Sequence, residues 1–132
     1  LGTHLYICGP KGMIDWVVNE ASKLGWPNEA IHYEEFLAPK PGKPFQVKLS
    51  ASNKVVNVGE NESLLEAIER EGVDAPYLCR GGACGQCETS VIEADGEFIH
   101  RDHWLEDDDK SSGKKIMPCV SRFDGKTLVL DR

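Results

Sequence analysis

The sequence predicts an α+β protein: a small roll of strands around one helix, preceded by a strand–helix–strand segment of α/β type. Three observations carry that expectation. The first 36 residues read strand, helix, strand with short connections. "APKPGKP" at 38–44 then breaks both helical and strand periodicity. From Phe45 onward, short alternating strands surround a single well-capped helix.

Taken in order, "HLYICGP" (4–10) is a short run of strand-formers ending at Gly-Pro. In "KGMIDWVVNEASKLGW", Met13, Trp16, Val17, Glu20, Ala21 and Leu24 recur at helical spacing and form the expected packing stripe, with Gly25 as the stop and Pro27 just beyond. "AIHYEEF" (30–36) is a second strand. Strand, helix, strand is a βαβ unit of a parallel sheet, and one such unit cannot build that sheet alone. Residues 1–37 are therefore expected to be the end of a larger α/β domain, in a chain that begins mid-pattern and belongs to a longer protein. The bare sheet edges of such a segment lead us to expect dimerisation of the isolated chain. Residues 38–44, with three prolines and a glycine, are expected to be a semi-rigid extended linker.

Residues 45–132 form the second expected domain. "FQVKLS" and "KVVNV" alternate apolar and polar residues and predict a hairpin. In "ENESLLEAIEREG", Ser63 and Glu66 make a capping box, Leu64, Leu65 and Ile68 a buried stripe, and Gly72 the residue beyond the helix end. "ETSVIEA" (88–94) reads as a strand, "DG" (95–96) as a turn, and "HWLEDDD" as a short helical turn. "KIMPCVS" reads as a strand edge and "TLVLD" as the last strand.

Composition narrows the function classes. A net charge of −7 on 132 residues argues against a nucleic-acid binder, which needs a basic face to displace counterions. No apolar run approaches the ~18–20 residues of a membrane span, and the N-terminal residues do not read as a signal peptide. The expected setting is cytoplasmic. Five cysteines, Cys8, Cys79, Cys84, Cys87 and Cys119, are an odd number for a disulfide framework and point to metal ligation.

Their spacing is informative. Cys79, Cys84 and Cys87 follow C-x4-C-x2-C, with Cys119 far downstream, which is the plant-type spacing for a [2Fe–2S] cluster. Four thiolates around two ferric ions and two sulfides leave the oxidised centre doubly negative, and one electron makes it triply so. Such a centre needs backbone N–H groups aimed inward, and Gly81, Gly82, Ala83 and Gly85 form the small, pliable loop that would supply them, while Arg80, next to a ligand, is expected either to tune the cluster or touch a partner, or to be a solvated cation. A structural zinc site also uses four cysteines, but as two short-spaced pairs, so a zinc-stabilised binding module without a redox role is the alternative. A Rieske centre would require histidine ligands. His100 and His103 are spaced H-x2-H without suitable cysteines and are expected to be surface groups. Trp16, Trp26 and Trp104 are expected to pack in the core or its rim, Tyr77 beneath the cysteine loop, and Glu106–Asp109 to be a solvated run.

"CRGGACGQC" with the distant "PC" resembles the plant-type ferredoxin family, which implies a β-grasp fold for 45–132. "LYICGPKGMIDWV" resembles the end of the nucleotide-binding domain in ferredoxin-reductase-like flavoenzymes, where Cys8, Gly9 and Pro10 would line the nicotinamide side. The bland alternative for Cys8 is a buried small hydrophobe. The order of segments resembles phthalate-dioxygenase-reductase-like proteins, including vanillate demethylase reductases. That resemblance implies a parent protein with FMN and NAD(P)H domains whose cluster passes single electrons to a terminal oxygenase of Rieske or haem type.

Overall fold

The computed structural model describes residues 2–35 and 39–132. Phe36, the last residue of the expected second strand, and the expected 37/38 boundary fall outside them. The chain divides into two compact units, Leu1–Ala38 and Pro39–Arg132.

In the first unit, β1 (Leu5–Gly9) and β2 (Ile31–Glu35) pair in parallel, Leu5 opposite Ile31 and Gly9 opposite Glu35. Helix α1 (Lys11–Lys23) connects them. The expected stripe on α1 is only partly right. Ile14 and Ala21 are the buried residues, whereas Met13, Trp16 and Leu24 are exposed. A single helix against two strands has apolar surface to cover on only one narrow line, which Ile14 and Ala21 occupy. Cys8 is exposed, contrary to its reading as a buried hydrophobe, because it lies opposite Glu34 on β2, out of phase with the buried Gly9. Trp16 likewise points to solvent rather than into a core.

In the second unit, β3 (Phe45–Leu49), β4 (Lys54–Val58), β5 (Thr89–Ile99), β6 (Lys115–Ile116) and β7 (Arg122–Leu130) form a mixed sheet in the order β4-β3-β7-β5-β6. β3 and β4 form the expected hairpin, and β7 runs parallel to β3. Alternation explains which face is buried: Phe45, Val47 and Leu49 point inward with Val56 and Val58. Helix α2 (Leu64–Arg70) lays Leu64, Leu65 and Ile68, all essentially inaccessible, on that face. Its capping box is complete: Glu66 N–H donates to Ser63 Oγ at 3.0 Å and Ser63 N–H donates to the Glu66 carboxylate at 2.8 Å. Replacing such a cap costs about 1 kcal/mol.

Two expectations fail here. Asp95-Gly96 is not a turn. β5 runs unbroken from Thr89 to Ile99 and passes through a register shift between Asp95 and Gly96. Gly96 lies opposite Gly125 so closely that a Cβ on it would sit 2.4 Å from the Gly125 Cα, so the residues that look like a turn allow two strands to pack tightly at an irregularity. The expected helical turn also lies later: 103–105 is a bend, and α3 covers Asp107–Ser112, ending at Gly113 in the left-handed conformation.

Residues 39–44 lie along the second unit rather than spanning free space. Arg101 donates to the Lys40 and Pro41 carbonyls at 2.7 and 3.2 Å. Buried Arg122 donates to the Gly42, Lys43, Gly59 and Glu62 carbonyls at 2.7–3.2 Å. The proline-rich stretch is thus strapped over residues 40–43 by Arg122 of β7 and by Arg101, just beyond β5.

Candidate metal centre

α2 ends at Arg70, with Glu71 as its C-cap, and the chain then runs to the cysteine loop, 79–87, which has no regular structure. The four predicted cysteines converge as two pairs. The Cys79 and Cys84 side chains are within hydrogen-bonding reach of each other, and so are those of Cys87 and Cys119. Cys79 is exposed and Cys84 half-buried, while Cys87 and Cys119 are buried.

Backbone N–H groups point at these sulfurs. Gly81 and Ala83 N–H donate to Cys79 Sγ at 3.3 and 3.5 Å, and Gly82 N–H reaches Cys119. Partial burial works against ionisation of Cys79. The Ala83 and Gly81 N–H groups, with help from Cys84, outweigh it and bring the thiol down to about 6. In the buried pair, hydrogen bonding from Cys119 outweighs desolvation and lowers Cys87 to about 7. Cys119 is pushed up by that same bond and by burial. Ionisation of the pair is thus favoured at Cys87 and opposed at Cys119.

This geometry fits a binuclear group. Among the described residues, no three or more His, Cys, Asp or Glu side chains gather as one ion's ligand set. A mononuclear zinc site needs four donors around one point, whereas two sulfur pairs suit two metal ions that share bridging sulfides.

Glycine is required at two places in the loop. Gly82 has φ +79°, and a Cβ on it would sit 2.7 Å from Val120 Cγ2 and 3.0 Å from the Asp102 Cα. Gly85 has φ +74° and lies under the Trp104 indole, 2.2 Å from a hypothetical Cβ. Gly81 and Ala83 do not share this need. Gly81 has no positive φ and would place a Cβ no nearer than 3.7 Å to Cys79 O. Their contribution is the N–H group.

Sequence reasoning missed the brace beneath the loop, residues 100–105. Asp102 is buried at 5% exposure. One carboxylate oxygen accepts from Trp104 and Leu105 N–H at 3.2 and 2.8 Å, and the other accepts from Ser121 Oγ at 3.2 Å. His103 N–H donates to Gly82 O at 2.9 Å. Asp followed two residues later by Trp-Leu is the signal that could have found the Asp-capped turn. Trp104, expected in the core or its rim, is about half-exposed against Gly85, and its indole N–H donates to Glu88 at 3.2 Å. His100, expected at the surface, is largely enclosed: its ring stacks on Phe98, with its Nδ1 3.7 Å from Asp102. The apolar stacking partner draws it in. His103 is exposed.

Tyr77 does not pack under the loop. It is 51% exposed, and the Arg80 guanidinium lies 4.0 Å from the centre of its ring. Arg80 also donates to Glu69 on α2 at 2.6 Å and has φ +54°, one of two non-glycine residues with positive φ among those described. Glu106–Asp108 are solvated, while Asp109 pairs with Lys115 at 3.3 Å. Cys8, Gly9 and Pro10 lie in the other unit, at the end of β1 and the start of α1.

Residues 47–124 match the family of 2Fe-2S iron-sulfur cluster binding domains. The chain is 47% identical over 131 residues to the heme-dependent oxidative N-demethylase beta subunit of Ectopseudomonas mendocina, covering 99% of this chain and 41% of that protein. It is 47% identical over 132 residues to the carnitine monooxygenase reductase subunit of Acinetobacter pittii, covering 98% and 43%. It also superposes on a solved phthalate dioxygenase reductase with a TM-score of 0.64 at 38% identity, covering 98% of this chain and 40% of that one. The chain thus spans about two fifths of the length of these relatives. No helix among the described residues is long and apolar enough to cross a membrane.

Proposed function

Since the chain belongs to the family of 2Fe-2S iron-sulfur cluster binding domains, we propose that Cys79, Cys84, Cys87 and Cys119 hold a [2Fe–2S] cluster in a β-grasp domain, residues 45–132, that carries one electron at a time. The observation that supports this most is the pairing of the sulfurs: Cys79 is within hydrogen-bonding reach of Cys84, and Cys87 of Cys119, so that each pair would serve one iron. When bound, the cluster supplies a one-electron acceptor, low in potential, near −400 mV or about that for the plant type. The chain's residues do the rest. The two lowered thiols enter as thiolates near neutral pH, the N–H groups of Gly81, Gly82 and Ala83 face the negative charge on the sulfurs, and Trp104 and Asp102 hold the loop closed around them.

Residues 1–37 read as the βαβ end of a ferredoxin-reductase-like NAD(P)-binding domain, with Cys8, Gly9 and Pro10 on its nicotinamide side, and 38–44 as the connecting segment. The chain is then the C-terminal part of a cytoplasmic NAD(P)H-dependent FMN and iron–sulfur reductase component, and its cluster delivers electrons to a terminal oxygenase. The names of the similar proteins, a monooxygenase reductase subunit, a demethylase subunit and a dioxygenase reductase, support that reading.

Titration with dithionite under anaerobic conditions tests it. The visible absorption should bleach on uptake of about one electron per chain. NADH alone should leave the spectrum unchanged, since hydride delivers two electrons and needs a flavin to divide them. Bleaching by NADH without added flavin, or no visible absorption after reconstitution, would refute the proposal.

A further inference from the structure

Arg80 follows the first cysteine of the loop and adopts φ +54°, a conformation that a residue with a Cβ populates about five- to thirtyfold less readily than the right-handed one. Glycine is the ordinary solution, and the loop uses it at Gly82 and Gly85. At position 80 the side chain is instead held at one face of its guanidinium by the Tyr77 ring and at its edge by Glu69. It lies 4.0 Å from the Tyr77 ring centre and donates to Glu69 at 2.6 Å. Glu69 is on α2, and α2 is fixed to the sheet by Leu64, Leu65 and Ile68, so the hold runs from the protein core to the residue beside Cys79. The next N–H groups in the chain, those of Gly81 and Ala83, are the ones that reach Cys79 Sγ.

We propose that Glu69, Tyr77 and Arg80 form a positioning clip: it offsets the left-handed backbone at residue 80 and so aims the Gly81 and Ala83 N–H groups at the Cys79 sulfur. The clip rests on the reading of Cys79 as a cluster ligand. It makes Arg80 a backbone-positioning residue rather than a solvated cation or a charge that acts on the centre from a distance. The two roles predict opposite signs. N–H donors at a ligating sulfur favour the more negative, reduced form and raise the reduction potential. Breaking the clip therefore lowers the potential. A purely electrostatic role predicts that removing the Glu69 carboxylate raises it.

The test uses the 132-residue chain reconstituted with iron and sulfide, with Glu69→Gln, Tyr77→Leu, and Glu69→Gln combined with Arg80→Gly. The readouts are reduction potential and the rate of iron release to a chelator. Glu69→Gln and Tyr77→Leu should each shift the potential to more negative values and speed iron release by up to about fivefold, the low end of the left-handed preference. Adding Arg80→Gly to Glu69→Gln should slow release again, because glycine takes that conformation unaided. Potentials that stay put or rise in iron-loaded single variants, or a double variant that releases iron faster than Glu69→Gln, would overturn the clip alone. A wild-type chain that takes up no iron would overturn the ligand reading and the clip with it.

Discussion

Substituting Gly82 with alanine probes the cysteine loop most sharply, because two independent costs meet at one atom. At φ +79°, any residue with a Cβ pays about 1–2 kcal/mol for the left-handed backbone. The new Cβ would also lie 2.7 Å from Val120 Cγ2 and 3.0 Å from the Asp102 Cα. Val120 can turn, but the Asp102 backbone is tied by its carboxylate to Trp104, Leu105 and Ser121. Overpacking of this kind adds about 1–3 kcal/mol. The sum, about 2–5 kcal/mol, is a large share of the ~5–15 kcal/mol that stabilises a typical domain. Gly81→Ala is the control: it has neither a positive φ nor a neighbour closer than 3.7 Å and should cost under about 0.5 kcal/mol. Urea unfolding of the two apo variants, followed by iron content after reconstitution, separates them. Gly82→Ala should unfold at clearly lower urea and retain less iron. Equal midpoints and equal iron in the two variants would show that residue 82 needs no glycine.

Other outcomes follow from the same structure. Cys119→Ser should abolish or strongly weaken the visible absorption of the reconstituted chain, whereas Cys8→Ser, in the other unit, should leave it unchanged. Alkylation of the apo chain at pH 7.5, followed by peptide mass analysis, should mark Cys79 early and Cys119 last: the first is lowered to about 6 and exposed, the second raised and buried. Asp102→Ala leaves the Trp104 and Leu105 N–H groups and the Ser121 hydroxyl without their acceptor and should destabilise the apo chain by about 2–3 kcal/mol in urea unfolding. Arg122→Met should cost on the order of 3 kcal/mol by the same measurement, since it removes a buried cation that four backbone carbonyls accept from.

What could be read in the sequence was what is encoded locally. The capping box at Ser63 and Glu66, the β3–β4 hairpin and the stripe Leu64, Leu65 and Ile68 each depend on residues a few positions apart, and each is present as expected. The cysteine spacing, too, is a pattern along the chain. The failures share a cause: they are settled by partners distant in sequence. Asp95-Gly96 looks like a turn until Gly125 packs against it. His100 looks like a surface residue until its stacking partner Phe98 is packed against Phe123 on β7. Tyr77 looks like packing material for the loop, yet it lies exposed against the Arg80 guanidinium, which donates to Glu69 on α2. Residues 38–44 carry the composition of a free spacer, and nothing near them announces that Arg101 and Arg122 will bind the carbonyls of 40–43. On α1 the helical period was right and the buried line was not, because spacing gives the stripe only when the partner surface is known. Ile14, not Met13 or Trp16, meets it.

In the proposed function, the two sulfur pairs together hold one binuclear group. Anaerobic analysis of the purified chain for iron, zinc and acid-labile sulfide tests that most directly. The expected result is about two irons and two sulfides per chain with no stoichiometric zinc. One zinc per chain without sulfide, or no metal at all after reconstitution, would contradict it.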